Sequence, residues 1–243
     1  MNHFITYGNH KYKRQKDALT LSAKNSYWFD TATSYDPSDL DDSFTSKFKD
    51  ILEEQTGGCY WIWKPYIISK KLNEINDNDI LIYLDTGCEL NLDSKKWFQQ
   101  YIEIVNKSKT GIVSFELYTR YGSGEPLLEK NWTNEFLFEY FKVNKDSSIR
   151  NTPQLVGGIL IMRKCKNVMD IFTNALNVLN NRPEFYKKCR GNDQSILSVI
   201  RKIHCTELLP DEIFFCGSTE IHPLGWYDPF SKQFSFHARR YRH

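Results

Sequence analysis

The chain has 243 residues and a formal net charge of +2, a balance that gives no overall field to attract nucleic acid or a membrane surface. Its composition, 40% hydrophobic and 26% charged, is that of a globular protein, and its six cysteines contain no C-x-x-C pair of the kind that builds zinc clusters. Because the sequence shows neither a signal-peptide pattern nor an apolar run of transmembrane length, we expect a cytoplasmic protein with no transmembrane segment.

The first half of the chain predicts strands that alternate with helices. The expected elements are a strand at residues 4–7, a helix at 12–24, a strand at 27–29, a helix at 43–54 and a helix from Pro65 to about residue 74. The glycine pair at residues 57–58 is expected to end the second of these helices, since glycine commonly follows a helix.

The second half continues the alternation. Residues 80–84 are apolar on both faces, which is typical of a central strand in a sheet covered on both sides. Further elements are expected as a helix at 94–105, strands at 111–115 and 155–162, helices at 168–179 and 192–204, and short strands with loops at 207–236. Such alternation indicates βαβ units. We therefore predict one α/β domain over residues 1–243, with a mainly parallel central sheet flanked by helices.

Asp85 directly follows the buried strand at residues 80–84, where the chain leaves the carboxyl edge of the predicted sheet. Open α/β sheets bind their ligands at that edge. An ionised carboxylate is costly to bury without a cation or hydrogen-bond donors, which makes Asp85 a candidate ligand- or metal-binding residue. A simple turn is the other interpretation, because aspartate also caps turns.

Lys64 stands among four aromatic residues, between the glycine pair and the helix that begins near Pro65. Helix N-termini favour anions, and a lysine there would favour a phosphate group further. At least two of the aromatic residues are expected in the core. Lys64 is therefore the candidate phosphate-binding residue of this segment.

Asp193 and Gln194 open the apolar helix predicted at residues 192–204. A carboxylate and an amide at this point could bind sugar hydroxyls. Asn192 or Asp193 would serve equally well as an ordinary helix cap. Spacing alone does not separate the two interpretations.

Three residues complete the set of candidates. Gly157, in a glycine pair, would let a ligand lie against its strand, unless the pair marks a bulge. His237 could offer an imidazole to a metal, although a single histidine is more often structural. Arg239 lies in the basic tail that follows, which is either an anion site or a solvated end of the chain.

Residues 58–68 and 79–88, with their WIWKPY and YLDTGC sequences, resemble a family of glycosyltransferase-like proteins from bacterial polysaccharide loci and large viruses. The DQS element at residues 193–195 is similar to an aspartate–glutamine element of retaining GT-A enzymes. The resemblance covers nearly the whole chain. It implies a GT-A fold, a Rossmann-like sheet that binds a nucleotide-sugar at its carboxyl edge, usually with Mn²⁺.

The resemblance also implies a role for each matching residue. It assigns nucleoside contacts to Thr6, Tyr7 and Gly8, a donor-phosphate contact to Lys64, metal ligation to Asp85 and His237, and catalytic or sugar contacts to Asp193 and Gln194. Gly157 and Arg239 are further candidates for donor contact. The partners it implies are a UDP- or GDP-sugar donor and a carbohydrate acceptor, and the cofactor is Mn²⁺ or Mg²⁺. The chain departs from the family's Asp-x-Asp motif, because Gly87 replaces the second aspartate and leaves Asp85 as its only carboxylate.

Two other functions are compatible with parts of the sequence. A Rossmann methyltransferase or dehydrogenase would carry a glycine-rich turn after the first strand, but the turn at residues 8–11 has a single glycine. A non-catalytic module that binds nucleotide-sugars or carbohydrates, descended from a GT-A enzyme, would explain Gly87. Donor hydrolysis with Mn²⁺ would distinguish an enzyme from such a module.

Overall fold

The computed structural model describes residues 1–54, 57–118, 125–210, 212 and 234–238. Its strands are β1 Asn2–Tyr7, β2 Thr31–Tyr35, β3 Ile80–Leu84, β4 Glu89–Leu90, β5 Ile112–Phe115, β6 Ile159–Arg163, β7 Glu207–Leu209 and β8 Phe236–His237. Its helices are α1 Lys13–Ser26, α2 Asp42–Lys47, α3 Lys49–Leu52, α4 Gly57–Tyr60, α5 Trp63–Glu74, α6 Lys95–Lys107, α7 Glu129–Trp132, α8 Glu135–Tyr140, α9 Ser148–Asn151, α10 Lys166–Asn181, α11 Glu184–Lys188 and α12 Asp193–Ile203.

The central sheet has six strands in the order β2-β1-β3-β6-β5-β7. Strand β1 pairs in parallel with β2 and β3, and β5 pairs in parallel with β7. Strand β6 lies between β3 and β5 and runs antiparallel to both. The prediction of a mainly parallel α/β sheet is confirmed, with β6 as the one reversed strand among those of this sheet.

Alternation along β3 explains why the sheet is covered on both faces. Leu81 and Tyr83 belong to a core shared with residues of α5, α10 and α12, whereas Ile82 and Leu84 belong to a second core shared with residues of α1 and α6. Successive side chains of a strand point to opposite faces, so a strand that is apolar throughout needs helices on both sides.

Some local predictions were wrong. Residues 27–29 form no strand. Instead, α1 ends at Ser26, the next residue Tyr27 adopts the left-handed conformation, and strand β2 begins only at Thr31. Residues 43–54 form two short helices, and Gly57 begins α4 rather than stopping a helix. Residues 27–29 leave the strand pattern because Trp28 is buried by stacking on Phe98 of α6, beside the sheet and not within it.

A small antiparallel pair of strands lies apart from the main sheet, where Glu89 of β4 is paired with His237 of β8. None of the helices in the described part of the chain is both long and apolar enough to span a membrane. The single domain expected over residues 1–243 extends beyond the described residues and stays a prediction.

Candidate functional site

The candidate site lies at the carboxyl edge of the sheet, where β3 ends and β6 begins. Because β6 is antiparallel to β3, the residues before β6 reach the same edge as the residues after β3. The backbone N–H of Asp85 donates to the carbonyl oxygen of Gly158 at 2.8 Å. Asp85 and the glycine pair, far apart in the sequence, are therefore neighbours.

Lys64, near the start of α5, joins two aspartates at this edge. Its Nζ is 3.2 Å from Oδ1 of Asp85 and 2.6 Å from Oδ2 of Asp193, the first residue of α12. Nζ also donates to the carbonyl oxygen of Gly157 at 3.2 Å. The side chains of Lys64 and Asp193 are only 2% and 6% exposed, whereas that of Asp85 is 34% exposed. We call Lys64, Asp85 and Asp193 the Lys64 cluster.

The Lys64 cluster holds two carboxylates for one ammonium. Burial raises the pKa of Asp193 to about 6, the Lys64 ammonium opposes this shift, and the charge of Asp85 adds to it. Burial alone would lower the pKa of Lys64, but the two carboxylates outweigh it and the pKa is raised. Lys64 is therefore an ammonium, and with both aspartates ionised the cluster carries a net negative charge.

This geometry changes the interpretation of Lys64. The sequence suggested a lysine poised to neutralise a phosphate, but the structure buries the ammonium and pairs it with two aspartates. The anions near the start of α5 are therefore the carboxylates of Asp85 and Asp193. We therefore assign Lys64 to holding Asp85 and Asp193 rather than to contact with a phosphate.

Tyr83, which was not among the predicted site residues, and Gly158, which was predicted only as one of a glycine pair, shape the position of Asp85. The hydroxyl of Tyr83, two residues earlier on the same face of β3, donates a hydrogen bond to Oδ1 of Asp85. A Cβ atom at Gly158 would lie only 2.6 Å from Oδ2 of Asp85, so glycine is required there unless the carboxylate moves. The period of two along a strand could have identified Tyr83, but Gly158 needed the strand pairing.

Asp193 and Gln194 both contact residues at this edge of the sheet. Asn192 occupies the position before α12 without a side-chain capping hydrogen bond, and its side chain donates to the carbonyl oxygen of Tyr186. The Oε1 atom of Gln194 accepts from the backbone N–H of Gly157 at 3.1 Å. The alternative of an ordinary cap is therefore not what the structure shows.

The three residues predicted to contact a nucleoside are all buried. Tyr7 stacks on Trp63 with ring centroids 3.9 Å apart, and Thr6 has no exposed surface. A Cβ atom at Gly8 would lie 3.0 Å from Cγ2 of Thr86, so the ends of β1 and β3 are in contact there. The side chains of Thr6 and Tyr7 are in the interior, and at Gly8 the segment after β1 contacts the segment after β3.

A cavity of about 1000 Å³ opens beside this meeting point. One wall comes from α1, with Arg14 and Ser22, and the other from the segment after β3, with Thr86 and Asp93. His237 also lines it, from strand β8. The cavity thus begins at the residue next to Asp85 and reaches the predicted histidine, whereas Arg239 lies outside the described residues.

A metal ion at this edge would have few protein ligands. Within the described residues, no group of three or more histidine, cysteine, aspartate or glutamate side chains could hold one. Asp85, which is partly exposed, offers a carboxylate oxygen, a ligand suited to Mn²⁺ or Mg²⁺, and His237 offers an imidazole nitrogen from strand β8. A metal held by these two residues would take its remaining ligands from a bound molecule.

Comparison with known proteins finds solved structures to which this chain is similar. No family model matches the sequence, and no curated protein matches it either. A solved glycosyltransferase involved in the glycosylation of the major capsid of PBCV-1 matches with a TM-score of 0.55 and 12% identity, over 97% of this chain and 92% of that one. Mouse xyloside xylosyltransferase 1 in its apo form matches with a TM-score of 0.48 and 8% identity, over 86% and 85% of the two chains. The galactosyltransferase LgtC, solved with donor and acceptor sugar analogs, matches with a TM-score of 0.45 and 12% identity, over 95% and 83%.

The fold class predicted from the sequence is therefore confirmed. The chain is a mixed α/β protein with a mostly parallel six-stranded sheet of the GT-A glycosyltransferase type. At these sequence identities the likeness concerns the fold, and the function depends on what the site can do.

Proposed function

We propose that this chain is a glycosyltransferase, which transfers a sugar from a nucleotide-sugar donor to a hydroxyl group of a carbohydrate acceptor. The Lys64 cluster at the carboxyl edge of a GT-A sheet is the observation that carries the proposal. It places one partly exposed carboxylate and one buried carboxylate at the edge where sheets of this kind bind ligands.

The chemistry of the cluster suits a sugar better than a phosphate. Carboxylate oxygens accept hydrogen bonds from sugar hydroxyls, and negative charge stabilises the positive charge that develops at the anomeric carbon as the leaving group departs. Lys64 fixes both carboxylates, at 3.2 Å and 2.6 Å from its ammonium. In this proposal Asp193 binds a sugar hydroxyl or acts as a base, and Gln194 lies beside it.

The donor's diphosphate needs positive charge near Asp85. In the proposal Asp85 and His237 would hold a divalent cation, Mn²⁺ or Mg²⁺. Such a cation would supply Lewis-acid stabilisation of the departing nucleoside diphosphate. Arg239 is proposed as an additional cation for the donor. Gly8 and Gly157 are proposed to contact the donor through their backbone, because the space beside their Cα atoms is filled by Thr86 and by Gln194.

The test is a panel of UDP- and GDP-sugars incubated with the purified protein, with Mn²⁺, with Mg²⁺ and with a chelator. We expect one donor class to stabilise the protein and to be hydrolysed slowly in the presence of metal. Asp85→Asn, prepared in parallel, controls for contaminating hydrolases because it should lose this activity.

The other functions give different results in the same panel. Stabilisation by a nucleotide-sugar with neither hydrolysis nor transfer to any acceptor would indicate a binding module. Stabilisation by S-adenosylmethionine or NAD alone would indicate a different enzyme class. A protein that no nucleotide-sugar stabilises would contradict the proposal.

A further inference from the structure

The segment at residues 154–158 connects the interior of the protein to the candidate site. It precedes β6 and ends with Gly157 and Gly158. The carbonyl oxygen of Gly157 accepts from Lys64, and that of Gly158 accepts from the backbone N–H of Asp85. The position of this segment therefore sets the geometry of the Lys64 cluster.

Helix α12 holds the backbone of this segment with its side chains. Gln194 accepts from the N–H of Gly157, and Ser198 accepts from the N–H of Leu155 at 2.9 Å. Arg201, fully buried, donates to the carbonyl oxygens of Leu155 and Val156 at 3.3 Å and 2.7 Å. Positions 194, 198 and 201 share one face of a helix. Helix side chains here satisfy backbone groups that would otherwise be buried without partners.

Gln154 links this arrangement to a buried charge. Its Oε1 accepts from Nε2 of Gln194 at 2.8 Å. Its Nε2 donates to Oε1 of Glu129 at 3.2 Å and to the hydroxyl of Ser195 at 3.1 Å. The Gln154 amide accepts with its oxygen on one side and donates with its nitrogen on the other, which methionine cannot do, and Gln154 is itself buried.

Glu129 anchors the network from the inside. It has no exposed surface, and Lys202 balances its charge at 2.8 Å. The hydroxyls of Thr133 and Ser198 also donate to it. Buried polar networks whose members are all satisfied are rigid, because any displacement leaves a polar group unpaired in a low dielectric.

We propose that Gln154 is a positioning residue. It orients the amide of Gln194, and Gln194 holds the N–H of Gly157. The segment at residues 154–158 thereby keeps the Lys64 ammonium and the Asp85 carboxylate in their relative positions. The effect on sugar transfer rests on the proposed function, whereas the effect on the backbone of Gly157 does not.

The experiment compares Gln154→Met with wild type, since methionine has a similar length but cannot bridge Gln194 and Glu129. Native-state hydrogen exchange is measured at the amide of Gly157, with the amide of Ile82 in β3 as an internal reference for global stability. We expect exchange at Gly157 to rise about tenfold more than exchange at Ile82. Unchanged exchange at Gly157 relative to Ile82 would overturn the inference.

A pair of serine variants serves as a matched second test, and it also covers the case in which Gln154→Met does not fold. Ser198→Ala and Ser108→Ala each remove a buried hydroxyl that accepts from backbone N–H groups, Ser198 at the carboxyl edge and Ser108 at the opposite edge. Only Ser198→Ala is expected to increase exchange at Gly157. Equal effects of the two variants would contradict the proposal.

Kinetics then test the consequence for transfer. In Gln154→Met we expect kcat to fall about tenfold while the KM for the donor changes less than about threefold, because the reacting groups are misplaced but the ligand surface is kept. Faster exchange at Gly157 with an unchanged kcat would overturn the positioning role. A wild-type protein without transfer activity would refute the proposed function and leave the exchange result to decide this inference.

Discussion

Two buried aspartates at opposite edges of the sheet behave in opposite ways. Asp79 precedes β3 at the amino edge, and Asp193 begins α12 at the carboxyl edge; their side chains are 10% and 6% exposed. The pKa of Asp79 is lowered to about 2, chiefly by the hydrogen bond from the amino group of Met1 at 2.7 Å. The pKa of Asp193 is raised to about 6, chiefly by burial.

The difference comes from burial, which dominates at Asp193, together with the balance of charges and donors around each carboxylate. Asp79 has an amino group, the imidazole of His3 and the backbone N–H of Asn76 to itself. Asp193 shares one ammonium with Asp85. A carboxylate with surplus donors stabilises the fold, whereas one with too few leaves negative charge for a ligand to meet. The amino edge thus holds a carboxylate with enough donors, and the carboxyl edge holds the carboxylates that we propose bind the sugar.

Removal of the shared ammonium should have the largest effect. In Lys64→Met two carboxylates stay close together without a cation, so we expect transfer to fall by about 1000-fold. The unfolding free energy should fall by about 3–5 kcal/mol, as when one partner of a buried ion pair is removed. Denaturant unfolding at pH 7 and transfer rates measure the two effects.

The matched control for this change lies on the same helix. Lys71 pairs with Glu74 at 3.2 Å, but Glu74 is 47% exposed, so Lys71→Met should cost under about 1 kcal/mol and leave transfer unchanged. Equal losses in the two variants would show that the charge balance at the site is not what matters.

Replacing one aspartate by asparagine at each edge of the sheet should separate effects on stability from effects on activity. Asp85→Asn should reduce transfer by about 100- to 1000-fold and cost little stability, because Lys64 keeps Asp193 as its partner. Asp79→Asn should lose about 1–3 kcal/mol of stability, since its buried donors lose an ionised acceptor, and keep its specific activity. Thermal unfolding and assays at a temperature where both variants are folded would check this, and the reverse pattern would exchange the roles of the two edges.

Glycine-to-alanine changes sharpen the same contrast. In Gly158→Ala the new Cβ would displace the flexible carboxylate of Asp85, so we expect transfer to fall about 10- to 100-fold with a small change in stability. Gly111, at the amino edge, has φ of +73° and a Cβ there would lie 2.5 Å from Sγ of Cys165. Gly111→Ala should therefore cost more than about 1 kcal/mol and spare activity. Transfer rates and denaturant midpoints measure the two effects, and a loss of activity in Gly111→Ala without one in Gly158→Ala would contradict the prediction.

The smallest effect concerns pH and gives opposite signs for activity and stability. Above about pH 6 Asp193 is ionised and pairs with Lys64, so kcat/KM should rise through that pH. Because its pKa is raised on folding, protonation of Asp193 stabilises the fold. Its stabilising contribution is complete below the ordinary value of 3.8 and is lost as the pH rises through about 6.

The measurement compares wild type with Asp193→Asn between pH 4 and pH 8. The difference in unfolding free energy should change over the window from 3.8 to about 6, and the variant should lack the wild-type rise in kcat/KM. A difference that stays flat across this window would mean that Asp193 has its ordinary pKa in the folded protein.

The sequence alone determined the alternating strands and helices, the burial of residues 80–84 and the place of Asp85 at the end of that strand. It also marked Asp193 and Gln194 at the start of an apolar helix, and Gly157. These features follow from local periodicity, because the period of a strand or helix and the residue that ends it are written within a few positions.

Only the tertiary structure decided that Lys64 pairs with Asp85 and Asp193, that β6 is reversed, that Gly158 packs against Asp85, and that Thr6 and Tyr7 are buried. These features depend on contacts between segments far apart in the chain. The sign of a pKa shift likewise depends on how deeply distant segments bury a group and on how many charges and donors they bring to it, and no local pattern of residues encodes either.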